Sequence, residues 1–143
     1  MKHHFFLALL VGFVGQCMAG PLSNVAAGDF TGHYELTKDG PRVFALDVTQ
    51  KGKEADVGFS AANENGAGAA PDGGGKGRIN GKGELEFAFT DSFENTGTAV
   101  LRRDGKLFRL SMEMGKVADP GAVVHYGDHA LKRTSAKPQT NDR

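Results

Sequence analysis

The chain has 143 residues, 17 Lys and Arg against 17 Asp and Glu, 21 Gly, 10 Phe, no Trp and one Cys. That length fits one compact domain. The composition excludes a basic excess for nucleic acid, a cysteine set for a disulfide scaffold or zinc site, and an acidic tail.

The first segment is residues 1–19. Met1-Lys2-His3-His4 gives a basic start, Phe5 to Val14 an apolar run, and Gly15-Gln16-Cys17-Met18-Ala19 an end on a small residue. That order is read as a signal peptide cut after Ala19, and the run is too short for a permanent membrane span. The expected location is the periplasm, or secretion. A second cut site follows Ala27. Cys17 raises the alternative of a lipoprotein anchored through its thiol, but Gln16 is bulky where the lipoprotein pattern has a small residue, so discard with the signal is preferred. Losing residues 1–19 removes Lys2 and no acid, which leaves one acid in excess and no cysteine. Residues 20–28 then read as a linker, 29–134 as the folded domain and 135–143 as a disordered tail.

From Gly28 onward apolar residues alternate with period two, and Gly, Asn, Asp and Lys interrupt them at short intervals. This pattern predicts strands and almost no helix. Eight strands are expected: Asp29 to Leu36, Arg42 to Gln50, Glu54 to Ala62, Lys76 to Asn80, Glu84 to Thr90, Thr96 to Arg102, Leu107 to Met114 and Asp128 to Thr134. The fifth is clearest, with Leu85, Phe87 and Phe89 against Glu84, Glu86, Ala88 and Thr90. In the sixth, Val100 and Leu101 compete for the inside. Asp119-Pro120 reads as the cap and first residue of one helical turn within 119–126.

The connections alternate in kind. Lys51-Gly52, Gly81-Lys82 and Asp104-Gly105 are tight, glycine-bearing turns, whereas Thr37 to Pro41, Asn63 to Gly75, Asp91 to Asn95 and Gly115 to Gly127 are longer. In an up-and-down meander alternate connections fall at opposite ends, so the tight turns share one end and the long loops the other. The expected fold is all-β, an eight-stranded antiparallel up-and-down barrel whose closure removes exposed edges and leaves one rim for function.

The ends of the domain bear a resemblance. Phe30-x-Gly32-x-Tyr34 and Leu131-x-Arg133 resemble the lipocalin, or calycin, arrangement, in which a Gly-x-Trp near the first strand is covered by an Arg from the last. The resemblance implies a lipocalin-like barrel closed through Gly32, Tyr34 and Arg133. Tyr34 stands for the Trp, with Arg133 over its ring as a cation on an aromatic face. It also implies the possibility of a small apolar ligand.

The chemical motifs are weak. Asp72-Gly73-Gly74-Gly75-Lys76-Gly77 resembles a phosphate loop, but Ala70 and Gly77 stand where Gly and Ser or Thr are needed. His125 and His129 have zinc spacing, with His33 and Asp128 as further candidates, but Gly127 and the strand from Asp128 argue against the required helix. Glu84 and Glu86 pair on what is read as a solvated face, and no serine sits in a Gly-x-Ser-x-Gly elbow. The reading is therefore not an enzyme, with no cofactor and no metal.

What remains is the rim. The Asn63 to Gly75 loop, flanked by Lys76 and Arg78, is read as flexible and polar. Phe93, beside Glu94, is either an anchor for a partner or a plug in the mouth, and Tyr126 lies in the last long loop. The many Phe and Met residues predict a mostly packed interior. The expected function is an exported binding module that presents Lys76, Arg78, Phe93, Glu94 and Tyr126 to a protein, as an inhibitor or immunity-type protein of an envelope hydrolase. The alternative is a lipocalin-like carrier of a small apolar ligand. No nucleic acid and no membrane span are expected.

Overall fold

The structure, a computed structural model, describes residues 28–37 and 40–139. The expected signal peptide with Cys17, most of the 20–28 linker, Lys38, Asp39 and residues 140–143 lie outside the described residues. Eight strands follow in chain order among those described: β1 Gly32–Leu36, β2 Arg42–Lys51, β3 Glu54–Asn63, β4 Asp72–Ile79, β5 Leu85–Asp91, β6 Thr96–Asp104, β7 Leu107–Lys116 and β8 Asp128–Ser135. Each pairs antiparallel with the next, and β1 pairs with β8, so the sheet closes into a barrel.

Alternation decides the inside. In β5, Leu85, Phe87, Phe89 and Asp91 are buried while Glu86, Ala88 and Thr90 are exposed. In β6 the competition resolves in favour of Leu101, which is fully buried, while Val100 turns to the outer wall. The interior is filled largely by rings. Phe44 stacks on Phe59 at 5.7 Å, Phe59 meets Phe89 edge-on at 5.5 Å, and Tyr34 meets Phe108 edge-on at 4.9 Å. Each such side chain contributes about 1.5–3 kcal/mol on burial, and the paired rings add more. The outer wall carries Asp56, Lys76, Arg78 and Glu86, the reverse of a lipid-facing barrel. No helix among the described residues is long and apolar enough to cross a membrane.

The fourth strand differs most from expectation. It begins at Asp72, so Gly73, Gly74 and Gly75 belong to the wall and not to a flexible loop. Their composition reflects space. A Cβ on Gly75 would lie 1.9 Å from the Ala88 carbonyl oxygen, and one on Gly74 would lie 2.1 Å from that of Val57. Only glycine permits this approach of backbone to backbone at a barrel corner. The loop before it shrinks to residues 64–71.

Two of the tight turns hold two residues each, Gly52-Lys53 and Gly105-Lys106, with both glycines at φ 62°. The third spans residues 80–84 and is organised by Asn80, whose Oδ1 accepts from the N–H groups of Lys82 and Glu84. The helical turn is α1, Pro120–Val123, and its cap Asp119 accepts from Gly121 N at 2.7 Å. At the C-terminus, Ser135 still belongs to β8, and residues 136–139 continue along the outer wall until Gln139 N donates to Asp47 Oδ1 at 2.6 Å. The described part of the expected tail, up to Gln139, thus lies against the barrel.

Candidate functional site

The long connections meet at one end of the barrel, and a buried polar network ties them together. Asp91, the last residue of β5, points inward by the same alternation that buries Phe89. Its Oδ1 accepts from Phe93 N at 2.9 Å and Asn95 N at 2.8 Å, which closes the β5–β6 turn. Its Oδ2 accepts from Asn95 Nδ2 at 2.8 Å and from the Tyr126 hydroxyl at 2.5 Å. Asn95 is fully buried, and its Oδ1 accepts from Ala118 N and Asp119 N at 2.7 and 2.8 Å. One amide and one carboxylate therefore join the β5–β6 turn to the β7–β8 connection. Burial pushes the Asp91 carboxyl up, but the hydrogen bonds from Tyr126, Asn95 and Phe93 outweigh it and hold the group below its ordinary range.

The plug in the mouth is Tyr126, and Phe93 is half-buried in its turn. The Tyr126 ring sits 5.4 Å from Phe89 and 5.8 Å from Phe59, continuing the ring stack of the interior. Burial first, and then the hydrogen bond to ionised Asp91, raise its hydroxyl pKa. This phenol stays neutral and donating.

The histidines serve the same cap. His125 Nε2 lies 2.8 Å from the Ala69 carbonyl oxygen, so that nitrogen carries the proton and binds the β3–β4 loop to the β7–β8 connection. His129 Nε2 in turn donates to the His125 carbonyl at 2.8 Å, and the His129 ring stacks on Phe44 at 4.7 Å. Burial lowers the His129 pKa, countered only in part by the bond to His125. The two rings spend their Nε2 atoms on carbonyl oxygens, while His33, in the outward register of β1 yet buried, has Nδ1 at 2.8 Å from Asp47. The expected zinc spacing thus describes two capping side chains.

The predicted rim residues divide. Phe93, Glu94 and Tyr126 are at the loop end. Glu94 has φ 63°, a left-handed conformation uncommon for a residue with a side chain, and it is held there by the Asp91 bonds on either side. Lys76 and Arg78 are corrected in position: they stand in the outward register of β4, paired with Asp56 and Glu54 towards the tight-turn end. Lys76 forms an ion pair with Asp56. Both line a cleft of about 870 Å³ that runs across the outer wall with Thr49, Glu86, Thr98 and Val100. They left the rim because β4 starts four residues before Lys76.

Gly32, Tyr34 and Arg133 lie together where β1 pairs with β8, but the ring beneath the arginine is not Tyr34. Tyr34 pairs with Arg133 across β1 and β8, and a Cβ on Gly32 would meet the Ser135 carbonyl at 2.5 Å and Arg133 Cδ at 2.8 Å. The ring under Arg133 is Phe108, at 5.4 Å, and Arg103 lies over the same ring at 5.1 Å. Tyr34 instead turns its hydroxyl to the Phe30 carbonyl at 2.6 Å. Phe30, just before β1, covers that end of the barrel and is almost wholly buried.

Asp91 and Asn95 are the residues organising the loop end that motif reading missed. The signal was available: Asp91 continues the inward parity of Leu85, Phe87 and Phe89, and a carboxylate on an apolar face demands donors. Comparison of the chain with family models, curated proteins and solved structures finds no match.

Proposed function

We propose that this protein is an exported, periplasmic or secreted, binding module that holds a protein partner on its loop rim, acting as an inhibitor or immunity-type protein of an envelope hydrolase. The observation that carries the reading is the location of exposed apolar side chains. Among the described residues the large hydrophobic side chains that face solvent are Val43, Val117 and Val124, 44–48% exposed, and all three stand at the loop end. Apolar groups concentrated on one face beside a half-buried Phe93 are the composition of an interface core.

The rim is also organised in advance. The Asp91, Asn95, Tyr126 and His125 bonds fix three connections to one another, so little ordering entropy remains to be lost on binding. The left-handed Glu94 stores strain at the same place, a pattern common to recognition loops. A carrier of a small apolar ligand needs a cavity of at least about 300 Å³. The rings of Phe44, Phe59, Phe89 and Tyr126 occupy the mouth such a ligand would enter, which favours the protein partner.

The test is capture from an envelope extract on immobilised protein, compared with a Val117→Asp, Val124→Asp double variant. A partner held by the parent and lost from the folded variant supports the reading. Equal retention by both, or an extracted lipid in native mass spectra, overturns it.

A further inference from the structure

The equal totals of acid and base conceal a separation along the barrel axis. Antiparallel order brings the starts of the odd-numbered strands and the ends of the even-numbered ones to the tight-turn end. Lys51, Lys53, Lys82, Arg102, Arg103 and Lys106 are all exposed there. These six cations outnumber the acids of that end, Asp29, Glu54, Glu84 and Asp104, of which Asp104 is taken up by Arg109 at 3.3 Å; Asp56, slightly further along the wall, is taken up by Lys76. The loop end is the opposite. Its basic side chains among the described residues are Arg42 and Lys116, set against Glu64, Asp72, Glu94, Glu113, Asp119 and Asp128.

A second observation concerns where the chain comes in. The Asp29 carbonyl accepts from Arg103 Nη2 at 3.1 Å and from Arg133 Nη1 at 3.0 Å, so two arginines of the basic end hold the backbone immediately before β1. The chain therefore joins the barrel at the basic face, opposite the rim. That face bears none of the exposed large apolar side chains found among the described residues, and the outer wall above it is charged. Its attraction for a surface is electrostatic and peripheral.

We propose that the tight-turn end docks on an anionic phospholipid surface, so that the barrel stands on its basic face with the loop rim directed away from the membrane. Each lysine or arginine near such a surface adds attraction that decays over a screening length of about 8 Å at physiological salt. Lys53, Lys82 and Lys106 stand in the turns themselves and are exposed, within that distance when the end is in contact. The acidic loop end is repelled by the same field, which fixes the orientation as well as the affinity. The proposal is independent of the identity of any rim partner.

Co-sedimentation of the full chain with vesicles tests it. One set is phosphatidylcholine alone and the other contains phosphatidylglycerol. Pelleting with the anionic vesicles only, and release as salt rises, is the expected result. The triple variant Lys51→Glu, Lys82→Glu, Lys106→Glu lowers vesicle affinity by about a hundredfold or more. The corresponding Gln variants fall between it and the parent, and Arg42→Glu with Lys116→Glu leaves binding unchanged. All these side chains are exposed, and circular dichroism verifies that each variant keeps its strands. Equal pelleting with both vesicle types, traceable to the apolar run Phe5 to Val14, overturns the proposal. So does unaltered binding of the triple Glu variant. Release by inorganic phosphate well beyond that by chloride at matched ionic strength points to a discrete phosphate site and overturns it too, as does head-to-tail association of barrels in place of vesicle binding.

Discussion

The two ends of this barrel are closed by different chemistry. At the tight-turn end Phe30 and Tyr34 pack edge-on to Phe108, and the guanidinium groups of Arg103 and Arg133 cover that ring from outside. At the loop end the seal is a set of directed bonds, centred on the buried carboxylate of Asp91 and the buried amide of Asn95. Ring packing tolerates changes of pH and of individual polar groups, because its free energy is spread over many weak contacts. A buried polar network is less forgiving: while complete it fixes one arrangement of three loops, and the loss of any member leaves another unsatisfied. The end proposed to carry the recognition surface is the one held by the second method.

The largest expected effect lies in the wall that both ends share. Gly75→Ala forces a methyl group against the Ala88 carbonyl, and we expect a loss of more than about 4 kcal/mol or no folded barrel, read by thermal unfolding. Phe108→Ala strikes the tight-turn end alone. It removes the ring that two cations and two aromatic neighbours share, and about 3–5 kcal/mol of stability should go with it. At the other end Asn95→Ala deprives Ala118 N and Asp119 N of their acceptor and Asp91 of a donor, for an expected cost of about 2–3 kcal/mol. Hydrogen exchange separates the two: the Asn95 variant should expose amides of residues 117–127 while those of β1 and β8 stay protected. If both variants loosen both ends equally, the contrast drawn above fails.

Acid provides a subtler probe. Burial depresses the His129 pKa below its ordinary 6.5, so the unfolded chain takes up a proton before the folded one does. Stability from this group is complete above about pH 6.5 and declines as pH falls towards the lowered folded value. Asp91 acts further down the scale. Its depressed folded pKa contributes stability above the ordinary carboxylate value of 3.8, which is lost as pH falls through the folded value. A melting curve series from pH 8 to pH 5 should show the decline in the parent and a flatter profile in His129→Phe, which keeps a ring on Phe44. The smallest change is a gain: Glu94→Gly relieves the left-handed backbone and should stabilise by about 0.5–1 kcal/mol.

Much of the barrel was legible in the chain because strand parity is a local property. Phe87 and Phe89 declare an inward face without reference to any other strand, and Gly52 and Gly105 announce turns through the backbone they permit. The alternation of short and long connections then implied two unlike ends. The Asp119-Pro120 cap was readable for the same reason, since a cap involves only its own first turn. Gly73 to Gly75 were misread because a run of glycines looks identical whether it serves freedom or close approach. The nearness of the Val57 and Ala88 carbonyls, from strands on either side, separates the two cases. Lys76 and Arg78 moved off the rim with that correction.

The sequence by itself therefore determined strand order, the facing of most strands and the difference between the two ends, all of which follow from periodicity and turn chemistry within a few residues. Tertiary structure alone decided that Tyr126 plugs the mouth, that Arg133 covers Phe108 and not Tyr34, and that Asp91 and Asn95 lock distant loops together. It also decided that a neutral chain is a polarised object. Each of these depends on which residues antiparallel closure brings within a few ångströms, and no local pattern carries that information.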